Sequence, residues 1–110
     1  MIRVTIYKKN DEIVGFKSEG HAGYDSSGKD IICAAVSTLV INTINSIELL
    51  TDDKDKYEVN EDENNALIEF RLTTDKPSRE TCVLLKALEL GLSGVRLGNK
   101  KFLRILFEEV

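Results

Sequence analysis

The sequence predicts a single α+β domain: a mostly antiparallel sheet in β-β-α-β-β-α-β order, with two helices packed on one face. Three observations predict it. The chain has 110 residues, 42% hydrophobic and 31% charged, which suits one buried core of ordinary globular composition. Short β-type runs bounded by Gly, Asn and Asp recur along it. Two longer stretches repeat apolar residues at helical spacing instead. No linker or low-complexity tract divides residues 1–110, so they read as one domain.

Residues 2–8 alternate apolar and polar as a half-buried strand, and Asn10-Asp11-Glu12 supplies a turn into a second strand over 12–19. Gly20 to Lys29 holds three of the seven glycines and no large aliphatic residue, which reads as a loop needing unusual backbone angles or mobility. Asp30 is placed to cap a helix running to about Leu50, with Ile32, Val36, Leu39, Val40, Thr43, Ile47 and Leu50 as its apolar seam. Strands are expected over about 55–60 and 65–73, joined by an acidic turn. Pro77 fits the first turn of a second helix capped by Thr74 or Asp75, with Val83, Leu84, Ala87, Leu88 and Leu92 buried. Gly91, Gly94 and Gly98 fray or end that helix, and Lys101 to Glu109 is the last strand. The two ββα halves look superficially repeated, but nothing in the second resembles Gly20 to Ser37.

The formal net charge of −4 does not favour general nucleic-acid binding. Two cysteines, Cys33 and Cys82, are too few for a disulfide framework and suit a reducing compartment. The N-terminus passes straight into a strand pattern without a signal-peptide layout, and no apolar run is read as approaching a membrane span. These features imply a cytoplasmic protein.

The chemistry concentrates in Gly20-His21-Ala22-Gly23-Tyr24-Asp25-Ser26-Ser27-Gly28-Lys29-Asp30-Ile31-Ile32-Cys33-Ala34-Ala35-Val36-Ser37. A thiol becomes a nucleophile at neutral pH through a lowered pKa and a nearby base. With the helix starting at Asp30, Cys33 sits in its first turn near the positive end of the dipole, and His21, the sole histidine, offers the base. Each residue alone has a blander reading. A lone histidine is most often a surface or hydrogen-bonding residue, and a lone cysteine behaves as a small buried hydrophobe. Their placement at either end of a glycine-rich loop favours thiol chemistry.

Asp30, Cys33 and Ser37 fall on one helix face. Asp30 either caps the helix or orients His21, and both roles stay open. Ala34 and Ala35 either let a peptide backbone approach or simply favour the helix. An oxyanion would be met by amides at the helix start, including that of Cys33, or by loop amides at Gly20, Gly23 and Gly28. No metal-ligand spacing is present, no cofactor is implied, and neither phosphate-binding glycine fingerprint occurs. Cys82 lacks a nearby base in sequence and is read as structural. The acidic run Glu61-Asp62-Glu63 is a solvated turn, though with Asp52, Asp53 and Asp55 it would attract a basic partner.

Gly20-His21-Ala22-Gly23 followed by Gly28-Lys29-Asp30-Ile31-Ile32-Cys33-Ala34-Ala35-Val36-Ser37 resembles the signature of the bacterial ribosomal-processing cysteine protease Prp family. The resemblance extends over the whole chain, including Leu88-Glu89-Leu90-Gly91-Leu92. It implies a cysteine endopeptidase with a His21–Cys33 pair, beside which Asp30 and Ser37 read as supporting residues. It further implies removal of an N-terminal extension from the twenty-seventh protein of the bacterial large ribosomal subunit, a homodimer, and a loop over Ala22 to Lys29 that orders around substrate. No direct nucleic-acid or membrane partner follows from it. Two other functions compete: a non-catalytic ribosome-associated binding module, and a thiol redox sensor acting through Cys33.

Overall fold

The computed structural model describes residues 1–20, 27–60 and 66–110, and of residues 27–30 the backbone. The order is β1 (Ile2–Lys9), β2 (Glu12–Glu19), α1 (Ser27–Leu50), β3 (Asp55–Asn60), β4 (Leu67–Leu72), α2 (Arg79–Arg96) and β5 (Leu103–Glu109), as the sequence predicts. The strands form one sheet in the order β3-β4-β2-β1-β5. All neighbours run antiparallel except β1 and β5, which are parallel. Asn10 and Asp11 take left-handed backbone, φ 52° and 67°, and close the two-residue turn between the paired Lys9 and Glu12. Both residue types tolerate that conformation, and it matches the twist of the flanking strands.

Ile2, Val4 and Ile6 of β1, Phe16 of β2 and Phe70 of β4 bury one sheet face against both helices. The Phe16 and Phe70 rings stack at 5.2 Å. From α1 come Ile32, Val36, Val40, Ile44 and Ile47, five residues at helical spacing. On the opposite sheet face, the Tyr7 hydroxyl donates to Glu69 Oε2 at 2.6 Å, while Arg71 lies 4.1 Å over the Tyr7 ring.

Several expectations need correction. Helix α1 begins at Ser27, so Asp30 lies inside it and is not its cap, and Cys33 is the seventh helical residue instead of a first-turn one. One glycine at position 28 costs a helix only about 1 kcal/mol, too little to stop it. The expected acidic turn falls on 61–65, outside the described residues. Leu50 is 72% exposed and Leu39 only half-buried.

In α2 the buried seam is Thr81, Leu85, Leu88 and Leu92, whereas Val83 is 57% exposed and Ala87 also faces solvent. Ser78, not Thr74 or Asp75, caps α2. Its hydroxyl accepts from the Thr81 N–H at 3.3 Å, and Pro77 precedes the cap. The helix runs through Gly91 and Gly94 to Arg96. At Gly91 the two helices pack tightly: a Cβ there would meet Leu39 Cδ2 at 3.1 Å. The last strand starts at Leu103, because Asn99 accepts from the Phe102 and Leu103 N–H groups in a turn.

The expectation that no apolar run approaches a membrane span is also corrected. Ile31–Leu50 is long and apolar enough by length and composition, with 33% of it buried. Its seam against the sheet accounts for part of that apolarity, while Ile31, Ile41, Leu49 and Leu50 on the same helix are exposed.

Candidate active site

The chain leaves β2 at Glu19 and returns as α1, whose far end leads to the edge strand β3 beyond β4. Helix α1 therefore crosses the sheet, and a cleft of about 280 Å³ opens between it and the strands. From α1 come Cys33, Val36, Ser37 and Ile41, and from the β1–β2 side come Ile2, Ser18 and Gly20. The far wall is Val59 and Asn60 of β3 with Ala66, Leu67 and Ile68 leading into β4. Its lining is mainly apolar, with polar groups at Cys33, Ser37, Ser18 and Asn60.

Cys33 is half-buried, packed against the core on one side and lining the cleft on the other. Ser37 lines the cleft one turn further on. Gly20 brings β2 to its end on the opposite wall. It holds φ 94°, its N–H donates to the Ala66 carbonyl at 3.1 Å, and a Cβ would collide with the Met1 carbonyl oxygen. Only glycine meets both demands there.

These facts sort the expected site residues. Cys33, Ser37 and Gly20 stand around one cleft. Gly28 and Asp30 lie in the first turn of α1. His21 and Gly23 fall outside the described residues, although His21 is bonded directly to Gly20. The expected oxyanion donors change. The Gly20 amide is committed to Ala66, and the Cys33 amide belongs to the helical ladder. Unpartnered helical amides are by geometry those of the first four residues, 27–30, with Gly28 among them.

The β3–β4 wall was not read from the sequence, where both strands look like plain structural elements. The signal available was the alternation that puts Val59 and Ile68 opposite each other on the helix-facing side.

The second thiol is differently housed. Burial pushes the Cys82 pKa up, and the nearby Glu12 and Asp53 carboxylates push it the same way. Cys82 Sγ lies 4.0 Å from the Pro77 carbonyl, a weak contact suited to packing. Among the described residues no group of His, Cys, Asp and Glu side chains is arranged to hold a metal ion.

The family model for the cysteine protease Prp matches residues 1–104. A ribosomal processing cysteine protease Prp from Bacillus subtilis (strain 168) is 27% identical over 107 residues, spanning 96% of each chain. The crystal structure of SMU.848 from Streptococcus mutans superposes with a TM-score of 0.89 at 28% identity, covering 100% of this chain and 96% of the other. An essential ribosomal processing protease Prp from S. aureus, solved in complex with a substrate peptide, shares the fold at a TM-score of 0.86 and 21% identity, over 98% of this chain and 100% of its own.

Proposed function

The chain belongs to the cysteine protease Prp family, and from that premise we propose that it removes the N-terminal extension of the twenty-seventh large-subunit ribosomal protein precursor, using a His21–Cys33 pair. The observation that carries this reading is the cleft itself. Cys33 lines a mainly apolar groove with room for a peptide side chain, and the opposite wall ends one residue short of the sole histidine.

In the proposed reaction His21 takes the Cys33 proton, and the thiolate attacks the scissile carbonyl carbon. The resulting oxyanion is met by amides at the start of α1, Gly28 among them, or by Gly23. His21 then gives its proton to the leaving amine as the C–N bond breaks. Water, deprotonated by His21, clears the thioester and restores the thiol. Asp30 orients His21, and Ser37 supports Cys33 from the next turn. Dipole effects fade beyond a helix's first turn, so the six residues of α1 ahead of Cys33 leave His21 the larger share of thiol activation.

The enzyme acts in the cytoplasm as a homodimer, with a peptide substrate and no direct nucleic-acid or membrane partner. A net charge of −4 favours encounter with a basic ribosomal precursor.

The test is mass spectrometry of the precursor after incubation with the native protein and, separately, with Cys33→Ala. One N-terminal cut made only by the native protein is expected. An intact precursor with folded, reduced native protein would overturn the substrate assignment. Retained cleavage by Cys33→Ala would overturn the mechanism.

A further inference from the structure

We propose that β5 is a self-complementary edge through which two copies of the chain pair antiparallel about Leu106, joining their sheets into one. The proposal rests on the homodimer reading above and assigns its surface. Strand β5 is the last strand of the sheet on its side, paired only with β1. The Ile2 N–H donates to the Phe102 carbonyl at 2.8 Å and the Val110 N–H to the Lys8 carbonyl at 3.0 Å. In a parallel ladder this directs the even-numbered residues of β5 inward. The N–H and C=O groups of Ile105, Phe107 and Glu109, with the C=O of Leu103, therefore point away from the sheet, a template for another strand; the Leu103 N–H already donates to Asn99.

The side chains select one register. An antiparallel copy centred on Leu106 pairs Leu103 with Glu109, Arg104 with Glu108 and Ile105 with Phe107, each twice by symmetry. This register aligns the whole strand, since Leu106 is its midpoint. It also satisfies the backbone, because the outward residues 103, 105, 107 and 109 pair only with one another. Arg104 and Glu108 then form the non-hydrogen-bonded pairs, where facing side chains come closest.

Neither Arg104 nor Glu108 is in an ion pair among the described residues, and Arg104 has the like charge of Arg3 beside it on β1. A carboxylate arriving from outside relieves that repulsion. Phe107, 56% exposed on the helix-facing side, is covered by Ile105 of the other copy. The neighbouring registers that keep the outward residues paired with one another, centred on Ile105 or on Phe107, set Arg104 opposite Leu106 and Glu108 opposite Phe102, or Glu108 opposite Leu106 and Arg104 opposite Val110, and lose both opposite-charge pairs.

The other edge, β3, is the competitor. A copy centred on Tyr57 would bring Lys56 opposite Glu58, but it aligns only residues 55–59 and sets Asp55 against Val59.

Sedimentation across protein concentration tests the proposal with the full chain. Arg104→Glu places carboxylates opposite each other twice and should weaken dimerisation about tenfold or more. Adding Glu108→Arg restores opposite charges in the same register and should return affinity to within about threefold of native. Amide exchange gives a second readout on the native protein: the N–H groups of Ile105 and Phe107 should gain protection as dimer forms. A dimer indifferent to both variants, one broken instead by Lys56→Glu, or a monomer at every concentration would each overturn the proposal. Precursor cleavage measured on the same samples reports separately on the protease reading. If Arg104→Glu does not fold, the exchange pattern and the double variant still decide.

Discussion

The two cysteines lie near the starts of two helices, and the one closer to a helix N-terminus is not the one that lines the cleft. Cys82 is the fourth residue of α2, Cys33 the seventh of α1. A helix dipole alone would favour Cys82 as the nucleophile. Its surroundings oppose that choice: burial and two carboxylates push its pKa up, and its sulfur rests near the Pro77 carbonyl. Cys33 has less help from its helix and is half-buried like Cys82, but it lines a groove opposite the strand that leads into His21. On the proposed mechanism, nearness to a helix end is a weaker guide to the nucleophile than a place on an open cleft wall.

The sharpest way to break this comparison is to remove each sulfur. Cys33→Ala should lower kcat/KM for the precursor peptide by about 10⁴ or more, while Cys82→Ala should leave it within about twofold. Next in size is His21→Ala, expected to cost about 10²- to 10⁴-fold in the same assay, the range of a general base. A smaller loss would shift the weight of activation back to α1.

Labelling with iodoacetamide near neutral pH, read by peptide mass spectrometry, should modify Cys33 at least about tenfold faster than Cys82. Equal rates would remove the contrast between the two environments.

The region around Cys82 should respond in stability instead. Asp53 accepts both the Ser78 N–H and hydroxyl at 2.8 Å, and the Ser78 hydroxyl also caps α2. Burial alone would raise the Asp53 pKa, but hydrogen bonds from Thr81 and Ser78 outweigh it and hold the carboxyl below its usual range. Ionised Asp53 therefore stabilises the fold above the unfolded carboxyl pKa of about 3.9. That contribution disappears as pH falls through the lower folded value. Ser78→Ala should cost about 1 kcal/mol in urea unfolding at neutral pH, flatten the acid side of the stability profile and leave Cys33 labelling unchanged.

The smallest effect lies on the other sheet face. Burial first, then the hydrogen bond and charge of Glu69, push the Tyr7 hydroxyl up to about 12. An ultraviolet titration should show one of the three tyrosines ionising late. Since the unfolded phenol ionises near 10, the fold should lose stability as pH rises from there through about 12.

Local patterns made the element order readable, because alternation and helical spacing are set by neighbours in sequence. The α1 seam of Ile32, Val36, Val40 and Ile47 emerged this way. The start of α1 did not, since Ser27, Gly28 and Lys29 read as loop although the helix absorbs them. The α2 seam was misjudged because Val83-Leu84-Leu85 offers more than one apolar stripe, and packing selects Leu85. Cys33, Ser37 and Gly20, singled out by their types and spacing, line one cleft. The wall from Val59 to Ile68 was not legible, because it depends on β4 joining β2, a pairing no local pattern encodes.

The parallel pairing of β1 with β5 has a consequence for the order of folding. Ile2 pairs with Leu103, so partners about 100 residues apart must meet before β1 has neighbours on both sides. During synthesis the β1–β2 hairpin is available early, yet one side of β1 stays bare until the last strand is made. Contacts of such long sequence separation slow folding and lengthen exposure of that side to other chains. Helix α2, which precedes β5 directly, is then the element whose docking would bring the closing strand home.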